Sequence, residues 1–571
     1  MIGVLYKPEE TRAVGEFFQL FKTPWEPFSS EENYDVVITT GGAAAEVNAR
    51  LLLVFCARPC PADEGWDFHY GTLLTGPLLE AGDLRVPAYR DVLTFASNHG
   101  AHPCVRAGGA TVGLSFESGG RRVMRLGYDL FGEVRHLLSE GQPPERATVP
   151  SLDHHIELVR RWILETGIPV VEIPPSPAGF SHSVCLTHDI DFIGIRRHLL
   201  DHTMWGFAYR ATVQATRDWL CGRISAERLR QCWMAVLSLP LVYFGLMKDF
   251  WLPFEWLMEV EHGLPATYFL IPFKRRAGRK VQAGHPKRRA ASYDVTDIPE
   301  WTQTLARAGC EIGVHGIDGW HSAADGIEEM RRVVGVTGGS SPGVRTHWLL
   351  RGEDTFRAIE EAGYRYDATE GYNETPGYRA GTSQVYRPLG ARHLLELPLH
   401  IQDGALFFPQ RLGLSEQEAW DLCGGFLERA ARHGGVLTIL WHDRSHAPER
   451  FWGGFYIRLL RELRSRNVWF CTAAQAVEWF SARREVTFDR KGGDPEKVVA
   501  RSGKNKAASP FALRIHRPLW NGNGTQPRWT EESWYGNGET DLSARVRKVM
   551  VGLEEKCSPS PRDRLAQPLS V

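Results

Sequence analysis

Between residues 181 and 485, short apolar runs alternate with amphipathic helical segments. The runs are SVCLT, ATYFLI, CEIGV, SPGVR, LLELPL, VLTILW and VWFCT. The helical patterns between them include IPEWTQTLARAG, GEDTFRAIEEAG and SEQEAWDLCGGFLERAARHG. Strands that are apolar on both faces must be covered on both faces, which calls for a parallel α/β sheet. About seven such units in roughly 300 residues fit a (β/α) barrel better than an open sheet. A long insertion over about 194–256, helical and rich in aromatics, interrupts the first unit.

The remaining regions are read around this one. Residues 1–150 form a smaller α/β accessory domain, with strands at YDVVITTG and LLLVFCA and an amphipathic helix at EETRAVGEFFQLF. A connecting helix, SLDHHIELVRRWILETG, and an extended linker occupy 151–180. The segment 486–571 is polar and Gly-rich, and predicts a small β appendage around FALRIHRP followed by a flexible tail. Gly41 and Gly42 in TTGGAAAEVNARLLL read as a turn, because no Lys of a phosphate loop follows them.

In a parallel α/β barrel the chemistry lies on the loops that follow the strands. His188, Asp189 and Asp191 follow SVCLT, and His315, Asp318 and His321 follow CEIGV. Arg345 lies within GVRTHW, His400 and Asp403 follow LLELPL, and His442 and Asp443 follow VLTILW. Imidazoles and carboxylates recurring at one edge of a sheet predict a metal site with open positions. Asp191, His315 and His321 are then the ligands, Asp189 the base and His442 the acid. Asp189 and Asp191 are two residues apart, so on extended backbone they point the same way while His188 points away. Asp443 either orients His442 or faces solvent.

CLTHDID, EIGVHGIDGWHS, GVRTHW, LELPLHIQDGAL and LTILWHDRSHAPERFW resemble, in order, the successive motifs of the polysaccharide deacetylases, the NodB-homology (carbohydrate esterase family 4-like) family. The resemblance implies an irregular (β/α) barrel that removes N-acetyl groups from a sugar or glycan. It implies a divalent metal, with zinc first and iron, cobalt, nickel or manganese as alternatives. By motif, Asp189 is the base, Asp191 and His315 are metal ligands, Arg345 orients the base and His442 is the acid. Two departures stand out. The second ligand histidine of the family lies four residues after the first, where this chain has Gly319. Either the loop is extended and His321 ligates, which is favoured, or Asp318 takes the place, or only one His binds. The third motif shows Thr346, His347 and Trp348 in place of the usual Pro and aromatic residue.

Composition narrows the partners. With 67 basic and 68 acidic side chains and a net charge of −1, the chain does not look like a nucleic-acid binder. No basic stretch followed by an apolar one opens it, and its ten Cys form no framework, so a reducing, cytoplasmic location is expected. The longest apolar stretch, Trp233–Met247, contains Pro240 and reads as a buried helix, with an interfacial membrane helix as the lesser reading. A hydrolase of another, non-sugar amide and an inactive binding protein on the same scaffold are the competing functions.

Overall fold

The computed structural model describes all residues except 42–46, 67, 97–99, 280–288, 340, 492–493, 504–507, 519–528, 535–538 and 549–571. Gly42 and most of the expected C-terminal tail therefore lie outside the described residues. The chain divides into two compact units, one of Met1–Leu137, Ser151–Gly179 and Trp479–Val571, the other of Leu138–Pro150 and Phe180–Glu478.

The first unit contains a mixed sheet of eleven strands. Ile2–Leu5, Tyr34–Thr39, Ala49–Phe55 and Arg121–Leu126 run parallel within it. The expected strands YDVVITTG and LLLVFCA form here, as does the helix Thr11–Phe21. The strand at FALRIHRP also belongs to this unit: Phe511–His516 pairs antiparallel with Val170–Glu172 on one side and Trp529–Trp534 on the other.

The second unit is built on an all-parallel sheet. Its strands are β1 (His182–Ile190), β2 (Ala266–Leu270), β3 (Glu311–Gly316), β4 (Val344–Thr346), β5 (Ile401–Gln402), β6 (Val436–Leu440) and β7 (Val468–Phe470). The hydrogen-bonded order is β4-β3-β2-β1-β6-β5, and β7 also pairs with β1. Every residue of β1, β2 and β6 is buried, as the apolar runs require of strands covered on both faces. Val184, Leu186, Leu270, Val314, Leu437 and Ile439 pack with Phe426, Leu427, Leu459 and Leu463 of the flanking helices. Each such side chain contributes about 1.5–3 kcal/mol by leaving water. The helix Glu416–His433 starts at a capping box between Ser415 and Glu418.

Two expectations change. LLELPL forms no strand: Glu396 makes only isolated bridges, to Asp367 and Tyr386, and pairing resumes at β5. Pro398 lies between them and has no N–H to donate to a ladder. The apolar stretch Trp233–Met247 is not buried. The helix that begins it covers only Cys232, Ala235, Leu239 and Val242, and leaves Trp233, Met234, Leu237 and Leu241 exposed.

Gly343 sets a tight approach at the start of β4. A Cβ there would lie 2.0 Å from Cζ of Tyr366, a fully buried ring whose hydroxyl donates to Glu311 at 2.7 Å. Gly343→Ala is expected to lower the unfolding free energy by about 2 kcal/mol or more, measured by urea denaturation.

Candidate functional site

The carboxyl ends of β1, β3, β4, β5 and β6 bring the ionisable residues together. Asp189 is the penultimate residue of β1, and Asp191 lies just beyond the strand. Register places Asp189 beside Phe269 of β2 and His315 of β3 beside Arg345 of β4. Arg345 is completely buried. Its Nη1 donates to Asp189 Oδ1 at 3.1 Å and to Thr187 Oγ1 at 2.8 Å, and its Nε donates to the Ala368 carbonyl at 2.8 Å. The guanidinium lies over the Phe269 ring, 4.5 Å from its centroid. A buried cation persists only when paired and hydrogen-bonded in this way.

His315 faces the Arg345 carbonyl through Nδ1 at 3.0 Å. That contact makes Nδ1 the protonated nitrogen and leaves Nε2 with a lone pair. Nε2 lies 3.4 Å from Asp191 Oδ1 and 3.8 Å from Asp189 Oδ2. His347, immediately after β4, brings its Nε2 within 3.3 Å of the same Asp191 oxygen. Trp348 (φ 69°) and Leu349 (φ 52°) adopt left-handed backbone right after it, a strained turn of the kind found at binding sites. Burial opposes the Asp191 charge, yet the imidazoles of His347 and His315 hold its carboxyl well below the ordinary range. Burial, joined by the charges of His315 and Arg289, pushes the His347 imidazole down against the pull of Asp191, while for His315 the charges of Asp189 and Asp191 outweigh burial and raise it.

These three residues fit a divalent metal. One ligand atom from each of Asp191, His315 and His347 lies within 4.8 Å of the others. Asp191 Oδ1 is buried and has no hydrogen-bond partner, although two imidazole nitrogens approach it. Metal–ligand distances of about 2.0–2.2 Å would space neighbouring ligand atoms roughly 3.0–3.5 Å apart, which matches both Asp191–His separations.

His321 and Asp318 stand apart from this group. His321 is exposed, its ring 5.3 Å from that of Trp320. Asp318 accepts the Arg279 N–H at 2.6 Å and pairs with Arg276 at 3.3 Å. The cause is the buried Glu329, whose carboxylate accepts the N–H groups of Ile317, Asp318 and Gly319 and ties the loop after β3 to its helix. Ser322 then caps the helix, so His321 is held at the outer end of the loop.

His442, after β6, completes the site. Its Nδ1 lies 2.5 Å from Asp403 Oδ1, and its backbone N–H donates to Asp403 Oδ2 at 2.9 Å. The Ser445 hydroxyl donates to the same carboxylate. Burial alone would lower the imidazole pKa, but the Asp403 charge raises it to about 9. Asp403 sits at the register that singled out the other residues, and its role came to light only through this contact. Asp443 does not orient His442: it accepts the backbone N–H groups of Phe192 and Arg444, and burial raises its pKa. His188 turns away from the site, between the Trp441 carbonyl at 2.8 Å and Glu261 at 2.8 Å. His400 is a buried structural residue whose Nδ1 accepts the Thr438 N–H at 3.3 Å.

A cavity of about 310 Å³ opens onto Asp189, Asp191, His315, His347 and His442. Phe192, Trp348 and Phe408 form apolar parts of its wall, and Arg289, Arg411, Arg444 and Arg450 also line it. None of these four guanidiniums forms an ion pair with a carboxylate among the described residues. Arg444 lies over the rings of Phe192 and Trp251, and Arg450 over those of Phe408 and Trp452.

No family model and no curated protein matches the sequence. Among solved structures, a putative polysaccharide deacetylase from Mycobacterium smegmatis is 18% identical over 56% of this chain and 99% of its own, with a TM-score of 0.33. A probable polysaccharide deacetylase from Pseudomonas aeruginosa PAO1 is 14% identical over 53% and 92%, with a TM-score of 0.31. Puue allantoinase is 14% identical over 54% and 93%, also at 0.31. Likenesses of this size assign neither fold nor function.

The Asp403–His442 pair carries a pH signature. The folded pKa of His442 lies above its unfolded value of about 6.5. Its stabilisation is therefore fully present below about pH 6.5 and is lost as pH rises through about 9. Asp403→Asn is expected to destabilise the protein most near pH 6, and the difference from wild type should narrow above pH 9. Thermal unfolding across this range checks it.

Proposed function

We propose that this chain is a metal-dependent hydrolase that removes N-acetyl groups from a carbohydrate, on an irregular barrel of the polysaccharide deacetylase type. The observation that carries the reading is the convergence on one cavity of three distinct devices. These are an Arg-held carboxylate at Asp189, a ligand set at Asp191, His315 and His347, and a carboxylate-held imidazole at His442. The order of sequence motifs agrees with it.

In this reading Asp191, His315 and His347 hold a divalent cation, and two imidazoles with one carboxylate suit zinc. When bound, the cation polarises the acetyl carbonyl and acidifies water. Asp189, aimed by the Arg345 guanidinium, accepts the water proton. Asp403 holds His442 protonated through Nδ1, so Nε2 is the atom that donates to the departing amine. Trp348 and Phe408 offer faces on which a sugar ring can stack. The four arginines that line the cavity, none ion-paired among the described residues, favour an acetylated sugar that also bears a negative group.

Zinc titration by calorimetry is expected to give one site. His347→Ala should weaken it by about 100-fold or more, and His321→Ala should leave it unchanged; the reverse pattern would restore His321 as the ligand. Asp189→Asn should retain metal and lower kcat by at least about 10²-fold. Acetate release from a panel of chitin oligomers, peptidoglycan fragments and acetylated nucleotide sugars tests the reaction itself, and no release from any acetylated sugar by the metal-loaded protein sinks the reading. With an anionic substrate, Arg450→Ala should raise KM about tenfold with kcat nearly unchanged.

A further inference from the structure

The helical insertion has two faces of unlike fate. It consists of α1 (His202–Tyr209), a π-helical turn (Arg210–Gln214), α2 (Ala215–Leu220) and α3 (Ala226–Tyr243). Its inner face is a core of its own, in which Phe207, Ala211, Cys232 and Val242 pack with Ile195 and Trp251. Its outer face is apolar but uncovered. Trp205, Tyr209 and Val213 recur every four residues on the first arm. Trp233, Leu237 and Leu241 do the same on α3, and Phe244 follows, 80% exposed. These spacings put each set on one side of its helix. Trp233 Nε1 donates to Thr216 Oγ1 at 3.2 Å, which holds the two arms side by side.

The concentration is unusual. Of 18 large exposed apolar side chains among the described residues, 14 fall between Leu199 and Met247. Scattered exposed apolar residues need no explanation, but a contiguous set marks an interaction surface. Charge narrows the partner. Residues 194–250 hold eight basic and four acidic side chains, in a chain whose net charge is −1. Five of these basic side chains pair with carboxylates, and Arg196, Arg210 and Arg217 have no carboxylate partner among the described residues. A self-complementary dimer would bring these unpaired cations towards their own copies. An anionic bilayer satisfies both features. Leu, Phe and Met enter the acyl boundary, Trp and Tyr suit the headgroup level, and Arg and Lys meet the phosphates. No helix among the described residues is long and apolar enough to cross a membrane, so the contact is with the bilayer surface.

We propose that the outer face of the insertion, Leu199–Met247, docks the protein on the surface of an anionic phospholipid bilayer. Docking is independent of the metal site and of the hydrolase reading. The wall of the cavity nonetheless shares Phe192 and Arg444 with the base of the insertion, where both rest on Trp251.

The test is flotation of the full chain with phosphatidylcholine vesicles, with and without phosphatidylglycerol. The protein should float with the mixed vesicles, and less so as salt is raised. Leu237→Asp with Phe244→Asp alters only exposed positions and should reduce the bound fraction at least tenfold. Circular dichroism melting checks that this variant is folded. Arg217→Gln with Arg223→Gln, which keeps every apolar side chain, should weaken binding to anionic vesicles by about fivefold per charge removed. Absence of flotation, or flotation equal in the Asp variant, overturns the proposal. So does a wild-type dimer in light scattering that becomes monomeric in the Asp variant, because a second copy would then be the occupant.

Discussion

A cation buried at the end of a fully buried strand is the constraint around which this site is arranged. Removing a guanidinium from water costs several kcal/mol unless its charge and its N–H groups find partners. Arg345 finds them for Nη1 and Nε in Asp189, Thr187 and the Ala368 carbonyl, and for its face in Phe269, while Nη2 has no partner among the described residues. These partners come from two strands, β1 and β2, and a loop, so satisfying one side chain of β4 aligns the three strands at their carboxyl ends. The same alignment puts the Arg345 carbonyl against His315 and thereby selects which imidazole nitrogen is left with a lone pair.

The histidines of the site show how one side chain serves opposite purposes. His315 meets a neutral carbonyl through Nδ1 and keeps Nε2 available to a metal. His442 meets the Asp403 carboxylate through Nδ1 and is held in the protonated state, with a pKa of about 9. His188, one position before Asp189, meets Glu261 and a carbonyl on the far side of the strand. The atom opposite Nδ1, and not the histidine itself, decides whether the ring suits ligation or proton donation.

The parallel sheet was legible because apolar runs of strand length, separated by amphipathic helices, have few other ways to bury both faces. The register of the ionisable residues was legible for the same reason, since groups that cannot be buried collect where strands end. Asp189, Asp191, His315, Arg345 and His442 do converge on one cavity or on its support. His347 stood in plain view two residues beyond Arg345, a strand-end position equivalent to the others, but the loop after β3 drew attention to His321. Nothing local to HGIDGWHS shows that Glu329, on the following helix, ties that loop down. Pro398 is the converse case, a local signal that LLELPL could not be a regular strand.

The sequence by itself determined the alternation of strands and helices, the edge at which charge collects, and the presence of an apolar helical insertion. These depend on hydrophobic periodicity and on the cost of burying charge, both of which act locally along the chain. Only the tertiary structure decided that His347 joins Asp191 and His315, that Asp403 rather than Asp443 holds His442, and that the insertion leaves an apolar face open. Each of those outcomes rests on contacts between residues far apart in sequence, where backbone register and the competition for hydrogen-bond partners select one side chain over an equally plausible neighbour.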